Sequence, residues 1–274
     1  MNEFQLFWPT GEISVFSTIL RIVLAIVVAA LAGYSFKKLA LRFGGRGQRT
    51  ERMDSQENFL VSGVLVLLAL MLAFTTGFVV ELYDQRRLLV VEEGNAIGTA
   101  YLRSQALDEP HRTRLSNLLV AYTDNRIALS VQPGDRRALL AENDRLLTYI
   151  WAAVLAANDS ARDKGISTPL YLAFNEVVDL DTERKIARLS RVPEGILVTL
   201  YTFLVVTAGI LGAVLDGARQ RVVAGILFML LTLAVAMIVD LNRPTRGSIR
   251  ESQQALLLLR DSMKIPRSDY DRYR

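Results

Sequence analysis

Apolar positions along the chain follow two patterns, and the change from one to the other divides it. Four nearly uninterrupted apolar stretches run from Val15 to Phe36, Phe59 to Val80, Gly195 to Leu215 and Val222 to Leu241. Each is of the length, about 20 residues, that a helix needs to cross roughly 30 Å of hydrocarbon. Between the second and third stretches the apolar residues thin out to helical spacing: Leu115, Leu118, Leu119 and Tyr122, then Leu139, Leu140, Leu146, Leu147, Ile150, Trp151, Val154 and Leu155. The pattern predicts an all-α membrane protein with four transmembrane helices and an extramembrane helical bundle inserted between spans two and three. The expected parts are 1–80 (N-terminal segment and spans one and two), 81–194 (helical domain), 195–241 (spans three and four) and 242–274 (tail).

Turn chemistry punctuates the middle block. LDEPH at 107–111, VQPGD at 131–135 and DKGISTP at 163–169 break it into about four helices. Pro110 is placed for a first helical turn and Asp135 for an N-cap. The first of these helices is expected to continue span two without a break, and the last to lead through Arg191, Val192 and Pro193 into span three. After Asp240 the segment NRPTRG reads as a turn, followed by a short helix around Ser252 to Ser262 and a mobile SDYDRYR end. The first span follows MNEFQLFWPTGE, an acidic rather than basic lead, and is expected to stay in the mature protein.

Composition narrows the chemistry. With 51% hydrophobic residues, 22% charged and positive mean hydropathy, the charges must be segregated from the apolar runs. No cysteine is present and only one histidine, so thiolate chemistry and cysteine-based metal sites are excluded. His111 sits in the polar EPHRTR and reads as solvated; the acidic DLDTE at 179–183 lacks the glycine and full ligand spacing of a calcium loop. No phosphate loop, nucleophile elbow or dinucleotide fingerprint occurs. No catalytic residue, metal or cofactor is expected, and the protein is not read as an enzyme. The net charge of +4 comes from basic residues beside the apolar runs, which points to a membrane surface and not to nucleic acid.

Basic residues also suggest an orientation. Lys37, Lys38, Arg42, Arg46, Arg49 and Arg52 separate spans one and two, and Arg219 and Arg221 separate three and four. By the positive-inside rule both loops face the cytoplasm. The helical domain and both termini then lie on the extracytoplasmic side of a bacterial inner membrane.

Several polar residues stand out against this frame. On a helix at 100° per residue, Glu92, Asn95, Thr99 and Arg103 of EEGNAIGTAYLR fall within about 80° of one another, while Gly94 and Gly98 form a separate small face. Two glycines four apart weaken a helix, which argues for close approach by another helix there. The polar stripe faces either a buried hydrogen-bond network or an aqueous lumen. In span two, Ser62, Ala69, Ala73 and Thr76 share one face, and Phe74, Phe78 and Glu81 another. The small face suits helix packing; the aromatic pair and Glu81 suit a pore constriction and its mouth. Arg21, inside span one, either snorkels or pairs with Glu81 or Asp240, which end spans two and four on the same side.

Two spans, a helical block opening with EEGNAIGTAYLR, two more spans and then DLNRPTRGSIR at 240–250 resemble the bacterial bestrophin-like family of membrane proteins. The resemblance covers nearly the whole chain. It implies distant similarity to bestrophins, pentameric ion channels whose second span lines the pore, and so places Phe74 and Phe78 at a neck and the helix from Glu92 to Arg103 along a vestibule. The acidic calcium clasp of animal bestrophins has no counterpart. Bestrophins keep their helical domain in the cytosol, opposite to the side that the loop charges select here.

Two functional expectations follow. The first is a homo-oligomeric ion channel, pentameric by resemblance, with Glu81 and Glu92 favouring cations; its partners are the lipid bilayer, further copies of itself and permeant inorganic ions. The second is a membrane sensor or scaffold whose extracytoplasmic helical domain binds a ligand or partner protein.

Overall fold

A computed structural model describes residues 15–43, 51–131, 136–215, 217–244, 247 and 249–264. The acidic lead, residues 44–50 between spans one and two, the expected N-cap at Asp135 and the SDYDRYR end lie outside the described residues. Among those described the secondary structure is helical: α1 (Val15–Phe43), α2 (Glu51–Ser104), α3 (His111–Val131), α4 (Arg136–Ala156), α5 (Asn158–Asp163), α6 (Ser167–Leu189), α7 (Glu194–Val214), α8 (Ala218–Leu241) and α9 (Gln254–Ser262). Four helices are long and apolar enough to cross a membrane. Span two and the first helix of the middle block form the single 54-residue α2.

The chain divides into two compact units, one of residues up to Glu81 with Arg191–Ile249, the other of Leu82–Ser190 with the chain from Arg250. In the first unit, α1 and α7 meet backbone to backbone. A Cβ added to Gly33 would stand 2.0 Å from the carbonyl oxygen of Gly209, and one on Gly212 2.1 Å from that of Ala30. Only glycine permits this approach, the way helices associate in lipid, where apolar burial supplies no drive of its own. The turn after α8 closes the unit. Asp240 Oδ2 accepts from the backbone N–H of Ile249 at 3.0 Å, Asn242 Oδ1 accepts from that of Val192 at 2.8 Å, and Arg243 donates to Thr18 Oγ1 at 3.2 Å. The DLNRP stretch is therefore a clasp: three polar side chains in four positions each hold a different segment.

The second unit has a conventional core. Ile97, Leu119, Ile150, Val154, Phe174 and Val177 from α2, α3, α4 and α6 are fully buried together. Of the periodic residues of α4, Leu146, Ile150 and Val154 face this core, while Trp151 and Leu155 stay exposed. The unit holds one more helix than the sequence predicts, the six-residue α5. It ends in a Schellman motif: Gly165, at φ +67°, and Ile166 donate to the carbonyls of Arg162 and Ala161, both at 2.9 Å. A glycine is needed there because that φ disfavours any side chain.

Replacing Gly212 with valine should cost about 3 kcal/mol, the upper end of overpacking penalties, because the new Cβ displaces the α1 backbone. A Cβ on Gly63 meets nothing within 4 Å, so Gly63→Val should leave stability nearly unchanged. Unfolding midpoints in graded denaturing detergent compare the two variants.

Candidate functional site

Exposure separates the two faces of α2. In the first unit Leu68, Leu72, Thr75 and Val79 are buried, whereas Phe74 is 68% exposed, Phe78 44%, and Glu81 also lies at the surface. Thr75 and Thr76 turn their hydroxyls back to the carbonyls of Met71 and Leu72, both at 2.7 Å, and so satisfy themselves within the helix. Arg21 is exposed on α1 and Asp240 buried at the end of α8, where one of its carboxylate oxygens holds Ile249.

In the second unit, Glu92, Asn95 and Thr99 are exposed, and Arg103, half-buried, donates to the carbonyl oxygen of Pro169. Gly94 and Gly98 lie against α9: a Cβ on Gly94 would be 3.7 Å from Ala255 Cβ, and one on Gly98 3.2 Å from Leu259 Cδ1. The Tyr101 hydroxyl donates to the carbonyl of Met263 at 3.0 Å. Residue numbers rise together in these contacts, so α9 runs parallel to α2 and covers its glycine face.

The polar centre of the unit is built on the residue beside the stripe. Glu93 is completely buried, and both of its oxygens are engaged: Oε1 by Arg126 Nε at 2.8 Å and by the Tyr122 hydroxyl at 2.8 Å, Oε2 by Arg184 Nη1. Arg126 also reaches Asp181 Oδ1 at 2.9 Å, and Asn143 Nδ2 donates to that same oxygen at 2.9 Å. Lys185 closes the other oxygen of Asp181 at 2.7 Å from the half-buried rim. Arg184 extends to Gln253 Oε1 at 3.3 Å, and a neighbouring buried pair, Arg86 and Glu251, stands 3.1 Å apart. Burial, with the negative Glu93 beside it, pushes the Tyr122 hydroxyl well above the ordinary tyrosine range, so it remains a donor.

This cluster is a network of paired charges. Its carboxylates are saturated by cations, and among the described residues no group of three or more His, Asp or Glu is arranged to hold a metal. What it does is fix α2, α3, α4, α6 and the segment before α9 to one another in a dry interior. Removing one partner from such a set leaves a buried charge uncompensated.

The sequence reading selected Glu92 and passed over Glu93, and it named Asp181 only within a failed calcium loop. A usable signal was present. Glu93 shares its helix face with Val90, Ile97 and Ala100; Arg126 with Leu119, Tyr122 and Leu129; Asp181 and Arg184 with Phe174, Val177 and Leu180. Charges set singly into apolar faces on several helices, with signs that cancel, mark an interior ion cluster.

Helical throughout the described residues, with four helices long and apolar enough to cross a membrane and an exposed polar stripe on the second, the chain has the make-up of a membrane protein. A model of the Bestrophin-like domain matches residues 25–256, and the chain belongs to the Bestrophin-like family. No curated protein sequence matches it. Its fold is similar to the crystal structure of a mutated bacterial bestrophin homologue from Klebsiella pneumoniae, with a TM-score of 0.64 at 15% identity over 92% of this chain and 98% of that one.

Replacing Glu93 with glutamine should destabilise the protein by about 3–5 kcal/mol, since Arg126 and Arg184 lose their shared counter-charge in the interior. Glu92→Gln, one residue away on the exposed face, should change stability by no more than about 0.5 kcal/mol. Denaturant titration of the two full-length variants, followed by circular dichroism, measures the difference.

Proposed function

We propose that the protein is a homo-oligomeric ion channel in a bacterial inner membrane, with α2 lining the conduction path. The observation that carries the reading is the ladder on α2. Phe74, Phe78, Glu81, Gln85, Leu88, Glu92, Asn95 and Thr99 succeed one another at alternating steps of four and three along one continuous helix, and all are exposed in the single chain. Such a 3.5-residue repeat keeps one face turned towards a common axis when helices assemble around it. Phenylalanines at the membrane level of that face suit a hydrophobic constriction, and a glutamate at its edge suits a charged ring.

Membership of the Bestrophin-like family and the fold shared with a bacterial bestrophin homologue support the channel class. Five subunits, a cation preference set by Glu81 and Glu92, and the pairing of Arg21 with Glu81 or Asp240 belong to this proposal. The orientation does too: the loop cations favour an extracytoplasmic helical domain, and the likeness to bestrophins favours a cytosolic one. The sensor reading has less to stand on, because the middle of the helical unit, where a four-helix receptor would hold a ligand, is filled by Glu93, Arg126, Asp181 and Arg184.

Recordings from the purified protein in planar bilayers under a salt gradient test the channel. Discrete currents are expected, with a reversal potential on the cation side that moves towards zero in Glu81→Gln and a larger unitary conductance in the Phe74→Ala, Phe78→Ala double variant. Silence from folded, inserted protein would contradict the reading.

A further inference from the structure

The first unit contains a groove that the conduction path does not use. It lies between α1, α7 and α8, encloses about 790 Å³, and is walled almost wholly by apolar side chains such as Val23, Val27, Leu211, Phe228 and Met229. That volume falls within the roughly 300–1,000 Å³ of sites that take small organic ligands. One end of it is different. There the Arg221 guanidinium lies over the Tyr34 ring, 5.2 Å from its centre, and Lys37 donates from Nζ to the carbonyl oxygen of Val214 at 3.3 Å. Tyr34, Leu215 and Arg221 all line the groove, so an apolar slot within the membrane-length helices opens at a cationic, aromatic end.

We propose that this groove is a binding site for an anionic phospholipid, which lays an acyl chain along α1 and α8 and sets its phosphate against Arg221. The chemistry of the two ends selects the ligand. An uncharged hydrophobic molecule would make no use of the positive charge of Arg221 at the end of the groove, and a soluble anion would leave the slot empty of apolar contact. Arginine and tyrosine at a span's end lie at headgroup depth, where anionic lipid is concentrated and each basic side chain adds attraction. A helix from a second copy fits less well. Beside the groove stand exposed apolar residues, Leu24 and Val28 on α1 and Val222 and Ile226 on α8. In lipid, apolar burial supplies no drive of its own for such surfaces to associate.

Gly225 makes the site testable. It lines the groove, and a Cβ there would meet nothing within 4 Å, so a large side chain can fill the slot without disturbing the helices. The full-length protein, in mild detergent, is incubated with phosphatidylglycerol or phosphatidylcholine of identical acyl chains, and retained lipid is counted by native mass spectrometry. Wild-type protein should hold phosphatidylglycerol about fivefold better, the preference that one basic contact supplies. Arg221→Gln should bring the ratio to near one, and Gly225→Phe should lower retention of both lipids, while Gly63→Phe, at an exposed glycine elsewhere in the unit, should lower neither. Ala224→Leu, also on the groove wall, repeats the filling test should Gly225→Phe elute as aggregate. Equal retention of the two lipids by wild type, or a preference that survives Arg221→Gln, would overturn the proposal. So would efficient cross-linking between copies through a short bismaleimide at Gly225→Cys, a clean reporter in a chain without cysteine, because it would put a second subunit in the groove.

Discussion

Glu93 has no water to turn to, and the helical unit is arranged around that constraint. A carboxylate taken fully out of solvent is tolerable only where cations and donors replace its hydration, and here three groups from two other helices do so. Arg126 must then be shared with Asp181, which draws in Asn143 of α4 and Lys185. The consequence is geometric. Four helices and the segment leading into α9 are joined in an arrangement in which each carboxylate of the cluster meets a cation. That fixed arrangement sets which face of α2 turns outward, and the outward face carries the proposed path.

The first unit solves the same problem by other means. Its helices cannot be held by apolar burial in lipid, and the backbone contact through Gly33, Gly209 and Gly212 replaces it. Three side-chain hydrogen bonds between its segments meet at the clasp of Asp240, Asn242 and Arg243, where α8 ends and the chain can still reach polar groups. EEGNAIG and DLNRP, the two motifs that carry the family resemblance, accordingly serve as structural joints: one supplies the buried carboxylate and the glycine face for α9, the other the clasp.

Much of the fold was legible in the sequence because apolar runs and helical spacing are local signals. The four spans, the continuity of span two with the helix after it, and the breaks at 107–111 and 163–169 are written in consecutive residues. The cluster was not legible to the same reading, because the partners of Glu93 lie 29 to 91 residues from it and charges set into apolar faces declare a cluster only when several helices are compared. Choosing Glu92 over Glu93 was a choice between adjacent glutamates, settled only by which face α3 and α6 cover. The small α5 was missed because six residues show no periodicity. What stands opposite the exposed face of α2 is not written in the periodicity of the helix, which records that face only as exposure.

The most direct test of the account is cysteine accessibility along α2, for which the absence of native cysteine leaves a clean background. Single cysteines placed from Leu68 to Thr99 would be challenged in intact membranes with a charged, water-soluble thiol reagent and, separately, with a lipid-soluble one. If α2 lines the path, water-borne modification recurs every three to four residues, at positions 74, 78, 81, 85, 88, 92, 95 and 99, with 68, 72, 75 and 79 protected. Modification of 74 and 78 by the lipid-soluble reagent alone would turn that face to the bilayer and contradict α2 as the lining of a pore.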